Sequence, residues 1–249
     1  MLRNEETMPA GETESRSSYR IVRPVVFCCD GNERVGLGHF FRCLNLARGL
    51  VELRAGLMPR FLGDYSRFAE DVLGAYGFAI EPGFAGWSRC EPYTALMWSA
   101  DGAVFDSYGI GQAFLDAWIR ASGKPVVLID DYQRLDDRAV DLVINGSFHG
   151  PGLGYAARRR AVGARYLICR PELSGVREIK ETGAAAPPRR ILLVNFGGSA
   201  AFGRALPGVL ERLDTLFEGM TFRVIEGEEP DVRLRRNRID RRQPAAGME

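Results

Sequence analysis

A histidine at the start of a helix is the residue of this chain best suited to catalysis. His39 follows the glycine-containing loop Gly36-Leu37-Gly38, and it is one of two histidines in the sequence. The loop comes after an apolar run that ends at Cys29, and an amphipathic pattern begins directly behind it. Two glycines let a backbone approach a ligand closely, and the free amides of a first helical turn carry partial positive charge that suits phosphate. The stretch therefore predicts an anion site with an imidazole at its edge.

The helix behind the loop decides what His39 can do. Arg42 stands three residues further on, so it shares a helix face with His39. The helix dipole disfavours a second positive charge at its N-terminus, which favours the neutral imidazole. A neutral imidazole can accept a proton from water, and His39 is therefore a candidate general base. The alternative is that His39 is a partly buried residue that only caps the helix.

Polar side chains recur where apolar runs end. Asp30, Asp106 and Asp130 lie at the ends of three such runs, Tyr108 follows Asp106 by two residues, and Asn145 ends a further run. Ligands of open parallel sheets bind outside the carboxyl ends of the strands, so these residues are expected on one edge with the glycine loop. Each of them alone is more simply explained as a turn former or a helix cap, and only their convergence on one edge indicates a site.

The runs that carry these residues predict a doubly wound α/β fold with a mostly parallel sheet. They are short, rich in β-branched residues and apolar throughout rather than alternating, which is typical of a parallel sheet covered on both faces. Segments with helical spacing separate them. The predicted strands lie near 22–29, 59–63, 78–80, 102–106, 126–131, 141–145, 166–169, 190–196 and 221–225, and the predicted helices near 40–52, 65–76, 92–100, 112–121 and 206–217.

The composition divides the chain into five segments. Residues 1–20 are polar and are expected to form a disordered leader. Residues 21–181 are predicted to form an N-terminal α/β domain that carries the glycine loop, and 182–189 a linker stiffened by prolines. Residues 190–227 predict part of a second α/β unit. The last segment, 228–249, is rich in arginine and has no strand pattern, so a frayed tail is expected.

The second unit repeats the order of strand, glycine loop and helix. Its loop, Gly197-Gly198-Ser199, could cradle a phosphate or could be a tight turn. The unit holds only two predicted strands and one helix, and a sheet of two strands leaves unpaired edges and a thin core. It is therefore expected to pack on the first domain or on a partner chain that completes it.

The composition fits a globular protein and argues against several other classes. Of 249 residues, 46% are hydrophobic and 26% charged. The formal net charge of +1 lacks the positive excess that is typical of proteins that bind nucleic acid. No apolar run approaches the roughly 20 residues that span a bilayer, and the N-terminus does not resemble a signal peptide. We expect a cytoplasmic protein without membrane contact. The five cysteines are expected to be buried thiols, no metal site is predicted, and His149 is expected to be a solvated loop residue.

Five motifs, in their order along the chain, resemble a known enzyme family. They resemble the UDP-2,4-diacetamido-2,4,6-trideoxy-β-L-altropyranose hydrolases of pseudaminic acid biosynthesis, whose family also contains spore-coat polysaccharide synthesis proteins. The resemblance covers about residues 25–227. It implies a glycosyltransferase-B-like fold of two α/β domains with a UDP-sugar in the cleft between them. The motifs are Asp30…Gly36-Leu37-Gly38-His39-Phe40…Arg42-Cys43-Leu44, Asp106-Ser107-Tyr108-Gly109, Ile129-Asp130-Asp131, Arg170-Pro171-Glu172 and Phe196-Gly197-Gly198-Ser199.

The resemblance implies a role for each matched residue. His39 would orient or deprotonate the water that attacks the anomeric carbon, and the C–O bond to UDP would break with inversion, without a cofactor. The amides of Gly36 and Gly38 would approach the sugar and diphosphate, and Asp30 and Tyr108 would lie beside the sugar. The diphosphate would also contact Gly197, Gly198 and Ser199. Arg42, on the same helix face as His39, and Asn145, at a strand end, are further candidates for substrate binding.

The expected function is therefore hydrolysis of a UDP-activated amino or deoxy sugar. The products would be UDP and the free sugar, for nonulosonic acid or surface polysaccharide biosynthesis. Two alternatives stay open. One is a non-catalytic remnant that binds a nucleotide sugar, and the other is a glycosyltransferase that uses the same cleft.

Overall fold

A computed structural model describes residues 23–53, 56–173, 190–195, 205–225 and 232–242. Its strands are β1 (Arg23–Cys29), β2 (Leu57–Leu62), β3 (Ala79–Ile80), β4 (Gly102–Asp106), β5 (Val126–Ile129), β6 (Leu142–Asn145), β7 (Arg159–Val162), β8 (Ile191–Val194), β9 (Thr221–Ile225) and β10 (Arg238–Arg242). Its α-helices are α1 (Gly38–Leu53), α2 (Arg67–Ala75), α3 (Thr94–Ser99), α4 (Gln112–Ser122) and α5 (Leu206–Leu216). Short 3₁₀ helices span Glu91–Tyr93, Gly150–Gly152, Ala164–Tyr166 and Pro171–Leu173.

The larger sheet has seven parallel strands in the order β3-β2-β1-β4-β5-β6-β7. Its strand order reverses at β1, which pairs with β2 on one side and β4 on the other. Such a switch point is where doubly wound sheets bind ligands. The register pairs Cys29 with Asp106, so the carboxyl ends of β1 and β4 lie side by side. This is the doubly wound, parallel α/β fold that the apolar runs predict.

The two faces of this sheet are both covered, which is why the strands are apolar throughout. In β1, Phe27 and Cys29 belong to one buried cluster and Val26 and Cys28 to the other, and none of the four has exposed surface. The cluster around Phe27 also contains side chains of α1 and α2, whereas the cluster around Val26 contains side chains of α3 and α4. Packing of α1 on the sheet therefore fixes its N-terminus at the carboxyl edge of β1.

The last strand of the larger sheet differs from the sequence prediction. A strand at 166–169 is predicted, but the structure has a 3₁₀ helix at Ala164–Tyr166 and places β7 earlier. Within this sheet β7 is an edge strand that pairs with β6, and Arg159 and Arg160 at its start are exposed. Charged residues protect sheet edges, so a search for apolar runs misses such a strand.

A second, smaller sheet has three parallel strands in the order β10-β9-β8. The expectation that the arginine-rich segment contains no strand is therefore wrong, because β10 lies within it. Arg223 of β9 stands opposite Asp240 of β10, and its Nε donates to Asp240 Oδ2 at 2.8 Å. This cross-strand pair offsets part of the positive charge and allows the segment to join the sheet. The boundaries between domains stay a prediction.

Most of the cysteines are buried in the fold. Cys28, Cys29, Cys43 and Cys90 are buried free thiols, as predicted, whereas Cys169 is exposed. Burial raises the pKa of Cys28 and of Cys43, so these thiols are protonated in the fold. Among the described residues, no helix has the length and apolar character needed to cross a bilayer.

Candidate active site

The loop between β1 and α1 is shaped by an asparagine and a glycine. Asn32 Oδ1 accepts hydrogen bonds from the backbone N–H groups of Arg34 and Val35 at 3.0 and 3.1 Å. Its Nδ2 donates to Asp64 Oδ2 at 2.9 Å, which ties the loop to the end of β2. Gly36 has a φ of 81°, a left-handed conformation that favours glycine. The turn lets α1 begin at Gly38, directly before His39.

His39 forms a dyad with Asp106. The Nδ1 atom of His39 lies 2.6 Å from Asp106 Oδ1, and the Asp106 side chain is 1% exposed. This aspartate ends β4, and α1 brings His39 to it across 67 residues of sequence. The His39 side chain is 11% exposed. Sequence spacing places both residues on one sheet edge, but only the fold shows that they touch.

Arg42 holds the same aspartate from its other side. Its Nε donates to Asp106 Oδ2 at 2.6 Å and its Nη2 to Asp106 Oδ1 at 2.5 Å, which is a bidentate pair. Its Nη1 donates to Asp131 Oδ1 at 2.8 Å. Burial alone lowers the pKa of Arg42, but the hydrogen bonds and charges of Asp106 and Asp131 outweigh burial and raise it above its ordinary value. All three nitrogens of the guanidinium are therefore engaged within the site.

The contacts of His39 Nδ1 define the tautomer of the neutral ring. Nδ1 also lies 3.3 Å from Arg42 Nη2, but a guanidinium only donates and an ionised carboxylate only accepts. Nδ1 cannot serve both, and the nearer partner is Asp106. The hydrogen therefore sits on Nδ1, and the lone pair of the neutral ring sits on Nε2. In the described part of the chain, Nε2 makes no hydrogen bond, so it is available to a ligand or water.

Tyr108 closes the dyad on the solvent side. Its ring meets the His39 ring edge to face, with centroids 4.5 Å apart, and its hydroxyl donates to Asp131 Oδ2 at 3.2 Å. Partial burial and the charge of Asp131 raise the pKa of Tyr108 to about 12. Tyr108 is 50% exposed, and the guanidinium of Arg134 lies over its ring, 5.0 Å from the ring centroid.

Asp30 and Asn145 lie at the expected strand ends, but their polar atoms are used inside the protein. Asp30 Oδ2 accepts from Trp87 Nε1 at 2.7 Å and Ser107 Oγ at 2.6 Å, and Asp30 Oδ1 accepts from a backbone N–H at 3.1 Å. Asn145 has no exposed surface, and its Nδ2 donates to the Asp131 carbonyl and to Tyr155 Oη. In this conformation both residues support the loops around the site.

His149 is exposed, as expected for a loop residue, yet it is held in place. Its Nε2 lies 2.7 Å from the Asp131 carbonyl oxygen, which can only accept, so Nε2 carries the hydrogen. The ring stacks on Tyr132 with centroids 5.7 Å apart. His149 therefore supports the loop that carries Asp131, and it does not contact His39.

Asp131 is the site residue that reasoning from the strand ends missed. It binds Arg42 and Tyr108, although 89 residues separate it from Arg42. The doublet Asp130-Asp131 was the available signal, but Asp130 is the member that turns inward. Its side chain accepts the backbone N–H groups of Tyr132 and Arg134 at 2.9 Å each.

Gly197, Gly198 and Ser199 lie outside the described residues, so their predicted contact with a diphosphate stays a prediction. Among the residues that are described, no group of three or more histidine, cysteine, aspartate or glutamate side chains is arranged to hold a metal ion.

A solved structure has a similar fold. The chain is similar to the crystal structure of MurG from Acinetobacter baumannii, with a TM-score of 0.52 and 16% sequence identity, over 91% of this chain and 69% of MurG. The chain has a glycosyltransferase-B-like α/β fold. At this level of identity, the likeness concerns the fold alone. No protein-family model matches the sequence, and no curated protein matches it.

Proposed function

We propose that the protein hydrolyses a UDP-activated amino or deoxy sugar at its anomeric C–O bond. It would release UDP and the free sugar for nonulosonic acid or surface polysaccharide biosynthesis. The observation that carries the proposal is the 2.6 Å contact between His39 Nδ1 and Asp106 Oδ1 beside the glycine loop. The glycosyltransferase-B-like fold and the motifs shared with the hydrolase family both support a nucleotide sugar as the substrate.

His39 acts as the general base in this proposal. Its Nε2 takes a proton from water while the water oxygen forms a bond to the anomeric carbon, and the C–O bond to UDP breaks on the opposite face. UDP leaves with the bonding electron pair, and the configuration inverts. Asp106 keeps the ring in the required tautomer and stabilises the imidazolium that forms. A positioned base of this kind contributes about 10²–10⁴ in rate.

Arg42 and Asp131 serve this step as positioning residues. The bidentate contact of Arg42 with Asp106 prevents the carboxylate from turning away from His39. Asp131 in turn holds the Arg42 guanidinium and the Tyr108 hydroxyl. Tyr108 lies against the His39 ring, so it is the residue of this group best placed to touch the sugar.

The diphosphate is proposed to lie at the amide of Gly38, beside Gly36 whose own N–H donates to the Asn32 carbonyl oxygen at 2.8 Å, and at the loop Gly197-Gly198-Ser199. Nothing else in this proposal depends on that second loop. A partner chain that completes the second unit belongs to the same proposal, because a three-stranded sheet leaves unpaired edges.

Release of UDP tests the function directly. The substrates are UDP-2,4-diacetamido-2,4,6-trideoxyhexoses and UDP-N-acetylglucosamine, each with and without a sugar acceptor. We expect water-dependent release by the wild-type protein and a loss of about 10²–10⁴ in rate for His39→Ala. His149→Ala removes the other histidine, and because His149 only supports the loop that carries Asp131, we expect a loss much smaller than that of His39→Ala.

Each other outcome identifies an alternative. Unchanged release by His39→Ala contradicts the catalytic assignment. Release that requires an acceptor identifies a glycosyltransferase, and binding without release identifies a non-catalytic nucleotide-sugar-binding protein.

A further inference from the structure

The edge of the larger sheet that carries the dyad is rich in carboxylates. Asp30, Asp106 and Asp130 stand at or directly after the ends of β1, β4 and β5, and Asp131 follows at once. Arg42 binds two of these aspartates, and all three of its guanidinium nitrogens are engaged in doing so. A diphosphate that arrives at this edge meets an excess of negative charge. The proposed substrate therefore calls for a cation beyond the residues assigned so far.

Arg134 presents such a cation beside Tyr108. Its Nη2 donates to the Tyr108 carbonyl oxygen at 3.0 Å, and its guanidinium carbon lies 5.0 Å from the centroid of the Tyr108 ring. The Tyr108 ring in turn meets the His39 ring, with centroids 4.5 Å apart. Arg134 therefore lies no further from the imidazole than these two distances together, a span that a sugar ring and its first phosphate can bridge.

The guanidinium of Arg134 is held in place before any ligand binds. Its backbone N–H donates to Asp130 Oδ2 at 2.9 Å, which fixes the start of the side chain. The contacts with the carbonyl oxygen and the ring of Tyr108 fix the other end. A side chain that is ordered in advance loses little conformational entropy when it binds an anion.

Two nitrogens of this guanidinium are unused. Within the described residues, Nε and Nη1 of Arg134 make no hydrogen bond and its side chain forms no ion pair. Other exposed arginines nearby in the sequence are paired: Arg138 with Asp136, and Arg34 with Asp64 at 3.6 Å. The free N–H groups of a guanidinium form charge-assisted hydrogen bonds with phosphate oxygens. Arg134 can therefore bind a phosphate without giving up a contact within the protein.

The direction of the proposed reaction gives this cation a role. As the C–O bond breaks, its electron pair moves to the oxygen of the β-phosphate, so negative charge grows on the leaving UDP. Inversion places the leaving group on the face of the sugar that is turned away from His39. A residue that stabilises this charge has to stand apart from the imidazole. Arg134 does so, because it reaches His39 only through Tyr108, whereas Arg42 touches the imidazole nitrogen.

We infer that Arg134 binds the β-phosphate of the UDP leaving group and stabilises the charge that develops on it. The inference rests on the proposed function for the orientation of the sugar and its diphosphate. It adds to the diphosphate site a cation from the loop after β5, so the larger sheet carries both the base and a group for the leaving phosphate.

Isothermal titration with UDP tests the contact without turnover. Arg134→Gln removes the charge and keeps a side chain of similar shape, and we expect it to weaken UDP binding by about tenfold or more. Arg134→Lys, which keeps the charge, is expected to recover part of the affinity. Arg138→Gln is the matched control, because Arg138 is exposed in the same loop and contacts Asp136 rather than Tyr108. It should bind UDP as the wild type does.

The salt dependence distinguishes a charge contact from a structural role. At about 1 M salt, charges are screened over about 3 Å, so the loss caused by Arg134→Gln should shrink. A loss that is independent of salt would show that Arg134 only supports Tyr108, and it would overturn the inference. Wild-type affinity in Arg134→Gln, an equal loss in Arg138→Gln, or no binding of UDP to the wild type at millimolar concentration would also overturn it.

Single-turnover release of UDP, with the protein in excess of the UDP-sugar, tests the role in the chemical step. We expect Arg134→Gln to lower this rate by about tenfold or more at saturating protein, because the charge it meets is largest in the transition state. The two proposals fail separately. Salt-sensitive UDP binding at Arg134 without release by the wild type would remove the hydrolase function and leave the phosphate contact in place. Release at the wild-type rate in Arg134→Gln would remove this inference alone.

Discussion

Asp106 decides whether His39 presents a basic nitrogen to water. Its carboxylate accepts from His39 Nδ1 on one side and from Arg42 on the other, so every neighbour of its oxygens is a donor. In Asp106→Asn the amide NH₂ must face one of these donors. If it faces His39, the ring turns to the tautomer with hydrogen on Nε2 and loses its base. If it faces Arg42, the bidentate contact is lost.

We therefore expect Asp106→Asn to lower the rate of UDP release by about 10²–10⁴ while the fold persists. The measurement is the rate at saturating substrate, together with a thermal unfolding curve. Asp131→Asn is the control, because Asp131 touches Arg42 but not His39, and a smaller loss is expected. A wild-type rate in Asp106→Asn would show that the contact is structural only.

Tyr108 provides a test by titration. Partial burial and the Asp131 carboxylate raise its pKa to about 12, so the fold favours the neutral phenol. The contribution to stability is complete below the ordinary pKa of about 10 and is lost as the pH rises through the pKa of the folded protein. We expect the ultraviolet difference between the wild type and Tyr108→Phe to titrate near pH 12. Asp131→Asn should move this titration to lower pH, and an unmoved titration would contradict the contact.

At the scale of the elements, one glycine fixes how closely the ends of β1 and β2 approach. A Cβ atom on Gly63 would lie 1.7 Å from the Cys29 carbonyl oxygen, which is backbone and cannot turn aside. Gly63→Ala is therefore expected to lower the free energy of unfolding by about 1–3 kcal/mol or more. It should also disturb the loop that begins at Asp30, since Asp30 accepts from the backbone of Asp64.

A glycine-to-alanine substitution in α1 should have the opposite effect on stability. Gly49 lies inside the helix, and a Cβ atom there meets nothing within 4 Å. Alanine restricts the unfolded chain more than glycine does, so Gly49→Ala is expected to raise the free energy of unfolding by roughly 0.5–1 kcal/mol. Urea unfolding of both variants measures the two changes in the free energy of unfolding. Equal effects of the two substitutions would contradict the close approach at Gly63.

The elements also show where sequence reasoning ends. Apolar runs predicted β1 and β4, and helical spacing predicted α1, each close to its observed bounds. These elements pack in the core, and the core sets their apolar patterns. The same reasoning missed β7 and β10, whose charged residues suit sheet edges. It located the strand ends of the site but not the contact of Arg42 with Asp131, because pairing across 89 residues depends on tertiary packing.

On the scale of the whole molecule, the described residues form two sheets with cores of very different size. Both faces of the larger sheet are covered by extensive buried clusters. The buried cluster of the smaller sheet consists of Val194, Leu206, Leu210, Phe222 and Val224. A three-stranded sheet on one helix with so small a core is close to the minimum for independent stability. The smaller sheet should therefore be the first part of the chain to unfold.

The aromatic residues make this order of unfolding measurable. The three tryptophans, Trp87, Trp98 and Trp118, all lie with the larger sheet, so their emission reports only that part, whereas far-ultraviolet circular dichroism reports both. We expect the dichroism to begin falling at lower urea than the emission. Leu210 has no exposed surface, and Leu210→Ala should weaken the smaller sheet by about 2–5 kcal/mol, which moves the early dichroism change to lower urea and leaves the emission midpoint in place. Coincident transitions that Leu210→Ala shifts together would show instead that the two sheets unfold as one cooperative unit.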